Sequence, residues 1–170
     1  SLIESQAGIG GYLRRFTRKG FHFDTGFHFT GGFGDTLPQI LKILNIENDI
    51  KEARLHCRVF LQETQRLLTL PNSGLDDLAG YLSDVFPHDA QAIRKYFQLE
   101  QDIVDHTALF DLSNTGQPIA PQLLPYDVIT LQEYFQQQHF SSPEVETVLG
   151  VMAFCHGTPP EEIPLAQHCR

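Results

Sequence analysis

The sequence predicts an α+β domain, with antiparallel hairpins first and helices after them. Two stretches before residue 70 alternate apolar and polar side chains around turn residues, the period of half-buried strands. From Leu75 onward, apolar residues return every three or four positions, the period of a helix face. Helix-start signals recur in the same half, at Thr130, Ser142 and Thr158.

In chain order, "LIE" (Leu2 to Glu4) reads as a strand end closed by the loop "SQAGIGG". "YLRRFTRKGFHFDTGFHF" reads as two strands about a turn at Arg18-Lys19-Gly20. Asp35 to Ile46 is a short helix, with Leu37, Ile40, Leu41 and Leu44 on one face. Residues 53–70 form a second hairpin. There Leu55, Cys57, Val59 and Leu61 alternate with more polar residues, and the turn falls near Glu63-Thr64-Gln65.

Leu75 to Pro87 is an amphipathic helix stopped by its proline. His88 to Phe110 is the longest helix, with Ile93, Phe97, Leu99, Ile103 and Val104 at helical spacing. Ser113 to Pro125, rich in Pro and Gly, is a loop and the best internal boundary. Thr130 and Glu133 spell a capping box, and Ser142 precedes a proline at the first helical position. A last helix starts near Thr158, Pro159 and Glu161, and Pro164 kinks it or delays its start.

The chain has 170 residues, 41% of them hydrophobic, enough for one sizeable core or a small pair. A net charge of −9 argues against nucleic acid as the main partner. Val148 to Cys155 is the longest apolar run, far short of the ~20 residues that span a bilayer. Peripheral membrane contact is compatible with that. Three cysteines without CxxC spacing do not make a disulfide scaffold, so a reducing cytoplasm fits best. Both ends read as cut: there is no initiator Met, and the last helical pattern stops at Arg170 without a cap.

The most concentrated chemistry lies in "GFHFDTGFHFTGG" (Gly20 to Gly32). On an extended strand, Phe21, Phe23, Thr25, Phe27 and Phe29 share one face, and His22, Asp24, Gly26, His28 and Thr30 the other. His22 and His28 would then stand roughly 20 Å apart at ~3.3 Å per residue, whereas zinc ligands all lie ~2.0–2.3 Å from one ion. No metal site is predicted there. Cys155-His156 and His168-Cys169 are adjacent pairs rather than spaced ligands, and predict none either. The phenylalanine face fits an ordinary core strand or the wall of an apolar pocket. Upstream, Glu4 ends a strand just before Gly8, Gly10 and Gly11. That is the place of a carboxylate holding an adenosine ribose before glycines that let a cofactor approach the backbone. No GxGxxG occurs in the chain.

Taken together, Glu4, Gly10-Gly11, Gly20, Phe23-Asp24, Gly26 and His28 form one pattern. It runs from an acidic residue and short loop to Gly-Gly, then a hairpin ending in G-[aromatic or apolar]-x-F-D-x-G-x-H. In this the chain resembles the FAD-dependent oxidoreductases of the phytoene desaturase, carotenoid isomerase and retinol saturase group. Two later segments are similar to that group as well. One is "LTLPNSGLDDLAGYLSDVFPHDAQAIRKYF", with its strand end, helix, "FP" and I-x-x-Y. The other runs from Thr130 to His168, with two helices, "TP" and a histidine nine residues after that proline.

The resemblance implies an antiparallel sheet packed with helices, the substrate domain inserted into a Rossmann-type FAD-binding oxidoreductase. Residues 1–34 would be a partial FAD-binding segment with its hairpin. Residues 35–170 would be a truncated substrate domain, with a sheet hairpin at 53–70 and a helical part at 75–170. By the same resemblance Glu4 contacts the adenosine ribose, and Gly10 and Gly11 lie against the pyrophosphate or ribityl chain. Tyr12 stands where desaturases often carry an arginine; Arg14 or Arg15 could replace it, or simply line a solvated edge. Without a phosphate loop, the fragment alone is expected to bind no FAD and to be inactive.

In such enzymes the flavin performs the redox step, and the protein positions a long apolar polyene against it. The lining expected here is Phe27, Phe29, Val151, Met152 and Phe154. His28, His156 and His168 are polar groups beside flavin or substrate, or else structural histidines. No nucleophile–base pair stands out, and no catalytic residue is assigned. The rival reading is a non-enzymatic α+β module that binds a lipid or a protein partner through its phenylalanine face.

Overall fold

In a computed structural model of the chain, residues 5, 8, 11, 14–24, 36–51, 53, 56–107 and 121–169 are described. They form an α+β architecture: two separate two-stranded antiparallel sheets with one helix between them and the other helices after them. The chain divides into two compact units, Ser1–Glu47 and Asn48–Arg170. The first helix, Thr36–Ile43, falls within the first of these units.

In the first unit, β1 (Arg15–Arg18) pairs with β2 (Phe21–Asp24). Lys19 (φ 51°) and Gly20 (φ 82°) make the turn. Two successive positive φ values match the right-handed twist of the strands, and glycine at the second position adopts its value without strain. The register sets Phe16 opposite Phe23 and Arg18 opposite Phe21, so all four share one face. Phe16 and Phe23 stack with centroids 5.3 Å apart. On the other face Arg15 Nε donates to Asp24 at 3.0 Å, and Thr17 Oγ1 meets His22 Nδ1 at 3.0 Å. All eight strand residues are exposed.

Helix α1 (Thr36–Ile43) ends where Asn45 turns left-handed at φ 55°. Ile46 N–H then reaches Leu41 O at 3.0 Å and Asn45 N–H reaches Lys42 O at 3.1 Å, closing the end in a Schellman motif. Of its expected apolar face only Leu41 is fully buried; Ile40 and Leu44 are exposed.

In the second unit, β3 (Arg58–Leu61) and β4 (Arg66–Thr69) pair around a turn containing Gln65 at φ 55°. Strand alternation sorts the side chains: Val59, Leu61 and Leu68 are buried, Phe60 and Leu67 exposed. Helix α2 (Leu75–Val85) stops before Pro87, and α3 (Ala90–Asp105) packs against it and buries Ile93, Tyr96, Phe97 and Ile103 in the core. A 3-10 segment, Pro121–Asp127, leads into α4 (Leu131–Gln138). There Glu133 N–H donates to Thr130 Oγ1 at 3.1 Å while Thr130 N–H donates to Glu133 Oε2 at 2.9 Å, the capping box read from the sequence.

Helix α5 (Pro143–Gly150) starts from Ser142, whose hydroxyl accepts from Glu144 N–H at 3.3 Å. Arg66 on β4 reaches Glu144 at 3.4 Å and lies over the Phe86 ring, tying hairpin, α2 and α5 together. A 3-10 turn, Val151–His156, follows. Pro164 delays the last helix rather than kinking it: it forms a bridge with Thr130, and α6 is Leu165–Cys169. The bridge is closed by Leu131 N–H to Ile163 O at 2.9 Å and Leu165 N–H to Ile129 O at 3.0 Å.

Candidate functional site

Where α2, α3, α5 and α6 converge with the end of β4, the second unit has a partly open cavity of about 110 Å³. Most of its lining is apolar. Leu70, Leu78, Leu82, Phe97, Val148, Leu149 and Val151 contribute, joined by three groups able to hydrogen-bond: Tyr96, Glu100 and His168. A dry cavity of about 150 Å³ holds a benzene ring; this one is smaller and suits the branched end of a longer apolar molecule.

Helix geometry explains the polar members. Tyr96 and Glu100 are one turn apart on α3, on the stripe that carries Ile93, Phe97 and Ile103 into the core. Glu100 thus occupies an apolar position, and burial pushes its carboxyl up to about 7. Burial first, then Cys169 and Glu100, raises the Tyr96 phenol well above its usual range.

His168 Nε2 lies 3.1 Å from the Leu149 carbonyl oxygen. An oxygen acceptor there places the ring proton on Nε2 and leaves Nδ1 a bare lone pair, buried and without a partner. Burial lowers the pKa of this ring, the Leu149 bond opposes the shift, and His156 adds to it. A half-buried carboxyl poised near neutrality can hold or release a proton to a bound molecule; the imidazole stays neutral.

A larger hollow of about 520 Å³ lies between α2 and α3. Its polar wall, Asp76, Arg94, Gln98 and Gln101, consists of exposed side chains, so it lacks the desolvation that tunes the smaller cavity. The smaller one is the better-equipped site.

Of the residues expected at a site, His156 and His168 are brought together, with ring centroids 6.5 Å apart, and Val151 and His168 line the cavity. Gly11 has φ +52°, and no described residue comes within 4 Å of where a Cβ would stand. Glu4, Gly10, Phe27, His28 and Phe29 lie outside the described residues, as does the Phe154 side chain within the turn Val151–His156. Tyr96 and Glu100 were not foreseen. The signal was present, since positions 93, 96, 97, 100 and 103 make one helical stripe with a carboxylate in it.

Among the described residues, no group of three or more His, Cys, Asp or Glu side chains could hold a metal ion. No helix among them is long and apolar enough to cross a membrane. Compared with protein-family models and with curated proteins, the chain matches none.

Proposed function

We propose that this chain belongs to an FAD-dependent oxidoreductase, of desaturase, saturase or isomerase type, acting in the cytoplasm on a polyene or related apolar lipid. The observation that carries the reading is the ordered set Glu4, Gly10-Gly11, Gly20, Phe23-Asp24, Gly26, His28. Within the set, Gly20 lies in the turn of an antiparallel hairpin, and Phe23-Asp24 end its second strand. Gly11 has a backbone conformation that strains any side chain, and no described residue lies beside it, which is compatible with a cofactor neighbour.

In this reading Glu4 would accept hydrogen bonds from the ribose, and Gly10 and Gly11 would lie along the pyrophosphate or ribityl chain. FAD, when bound, supplies the electron transfer. The protein's own part is to bind an apolar chain, exclude water and present few polar groups. Phe27, His28, Phe29, Phe154, His156 and His168 are assigned to the substrate pocket, and the lining of the described cavity suits an apolar occupant.

The reading requires a glycine-rich phosphate loop encoded about 20 residues ahead of Glu4. In the full-length protein, Glu4→Gln should weaken FAD binding about tenfold, the worth of one charge-assisted hydrogen bond. Titration of the apoprotein with FAD, followed by flavin fluorescence, measures this. An unchanged dissociation constant removes Glu4 from the site. Residues 1–170 alone should not retain FAD. A second reading, a non-enzymatic module that binds a lipid or a protein partner, draws on the exposed rings of Phe16, Phe21 and Phe23.

A further inference from the structure

The β1–β2 hairpin exposes rings that water does not favour. Phe16 is 47% exposed, Phe23 46% and Phe21 70%, and the strand register sets all three on one face with Arg18. A two-stranded hairpin with an uncovered apolar face is marginal in water by itself, so its face calls for an occupant.

Charge says which. Between residues 14 and 24 stand Arg14, Arg15, Arg18 and Lys19 against a single carboxylate, Asp24, in a chain of net charge −9. Asp24 is engaged by Arg15. Among the described residues no carboxylate pairs with Arg18 or Lys19, which sit at the turn. Phenylalanine rings on an exposed apolar face bury at the boundary between headgroups and acyl chains, and cations beside them are drawn to anionic lipids.

We propose that the β1–β2 hairpin docks this protein on an anionic lipid surface. Phe21, Phe16 and Phe23 enter the headgroup boundary, and Arg18 and Lys19 rest on lipid phosphates. The inference needs no flavin, although an apolar substrate of the proposed kind would reside in such a surface.

The test is co-sedimentation of the protein with vesicles of phosphatidylcholine, with and without phosphatidylserine. Binding should require phosphatidylserine and fall steeply as salt is raised. Phe21→Ser should lower the partition coefficient about tenfold, as burial of most of a phenylalanine implies. The pair Arg18→Gln and Lys19→Asn should lower it about 25-fold, at ~1 kcal/mol per cation. Circular dichroism of each variant should match the parent. Equal binding to neutral vesicles, or binding that salt and both variants leave unchanged, overturns the proposal. So does a dimer that Phe21→Ser dissolves in a protein that ignores vesicles, which would make a second copy the occupant. A colourless protein that binds phosphatidylserine vesicles upholds this inference while the flavin reading fails; a yellow one that ignores them does the reverse.

Discussion

Glu100 and His168 line the same cavity, and burial acts on them in opposite senses. For Glu100 the folded value is about 7 against an ordinary 4.5. As pH rises through that window the unfolded chain releases a proton that the folded chain still holds, so stability falls, and the loss is complete above about 7. Glu100→Gln should therefore unfold like the parent near pH 4. Above pH 7 it should be more stable by on the order of 1–3 kcal/mol, a range reduced for the part of the carboxyl that water reaches. Urea denaturation at a series of pH values measures this, and a parallel pair of curves would place Glu100 in ordinary solvent. His168 works from the other side. Its folded pKa is lowered, so its contribution is complete above about 6.5, the ordinary value, and is lost as pH falls below it. His168→Gln should flatten the acid limb of the same profile and leave the neutral region unchanged.

At the scale of elements, side chains at helix ends and loops decide how α3, α4, α5 and α6 meet. Asp89, almost fully buried, accepts from Ser141 N–H at 2.7 Å, Ser141 Oγ–H at 2.6 Å and Ser142 N–H at 3.3 Å. It thereby anchors the α4–α5 loop to the start of α3. Asp89→Ala strands those donors, so a loss of about 2–4 kcal/mol is expected in thermal or urea unfolding. Thr130→Ala removes half of the capping box and should cost about 1 kcal/mol; the same melts check it, and a cost near zero would show that the Thr130–Pro164 bridge suffices to start α4.

These elements also show what could be read beforehand. The capping box, the proline at the start of α5 and both hairpin turns are local chemistry, written within three or four residues, and all were legible. The Asp89 latch was not, because its partners are 52 and 53 residues away. The bare face of α1 escaped for a related reason: period shows which side of a helix is apolar, not whether anything covers it. For the candidate cavity, His168 and Val151 were legible as late polar and apolar groups. Glu100 was passed over because a carboxylate in an apolar stripe reads as an irregularity until the packing of α2 and α5 shows it enclosed.

At the scale of the whole molecule, the antiparallel hairpins and later helices follow the order expected, as two separate two-stranded sheets in a chain of two units. The FAD reading rests on spaced residues near the first hairpin, while the tuned carboxyl and imidazole lie in the second unit. The most direct measurement is the visible absorbance spectrum of the full-length protein, purified without added cofactor and again after incubation with FAD. The account predicts a yellow protein with the two flavin bands, which releases FAD on heat denaturation. A folded full-length protein that stays colourless and takes up no FAD would contradict it.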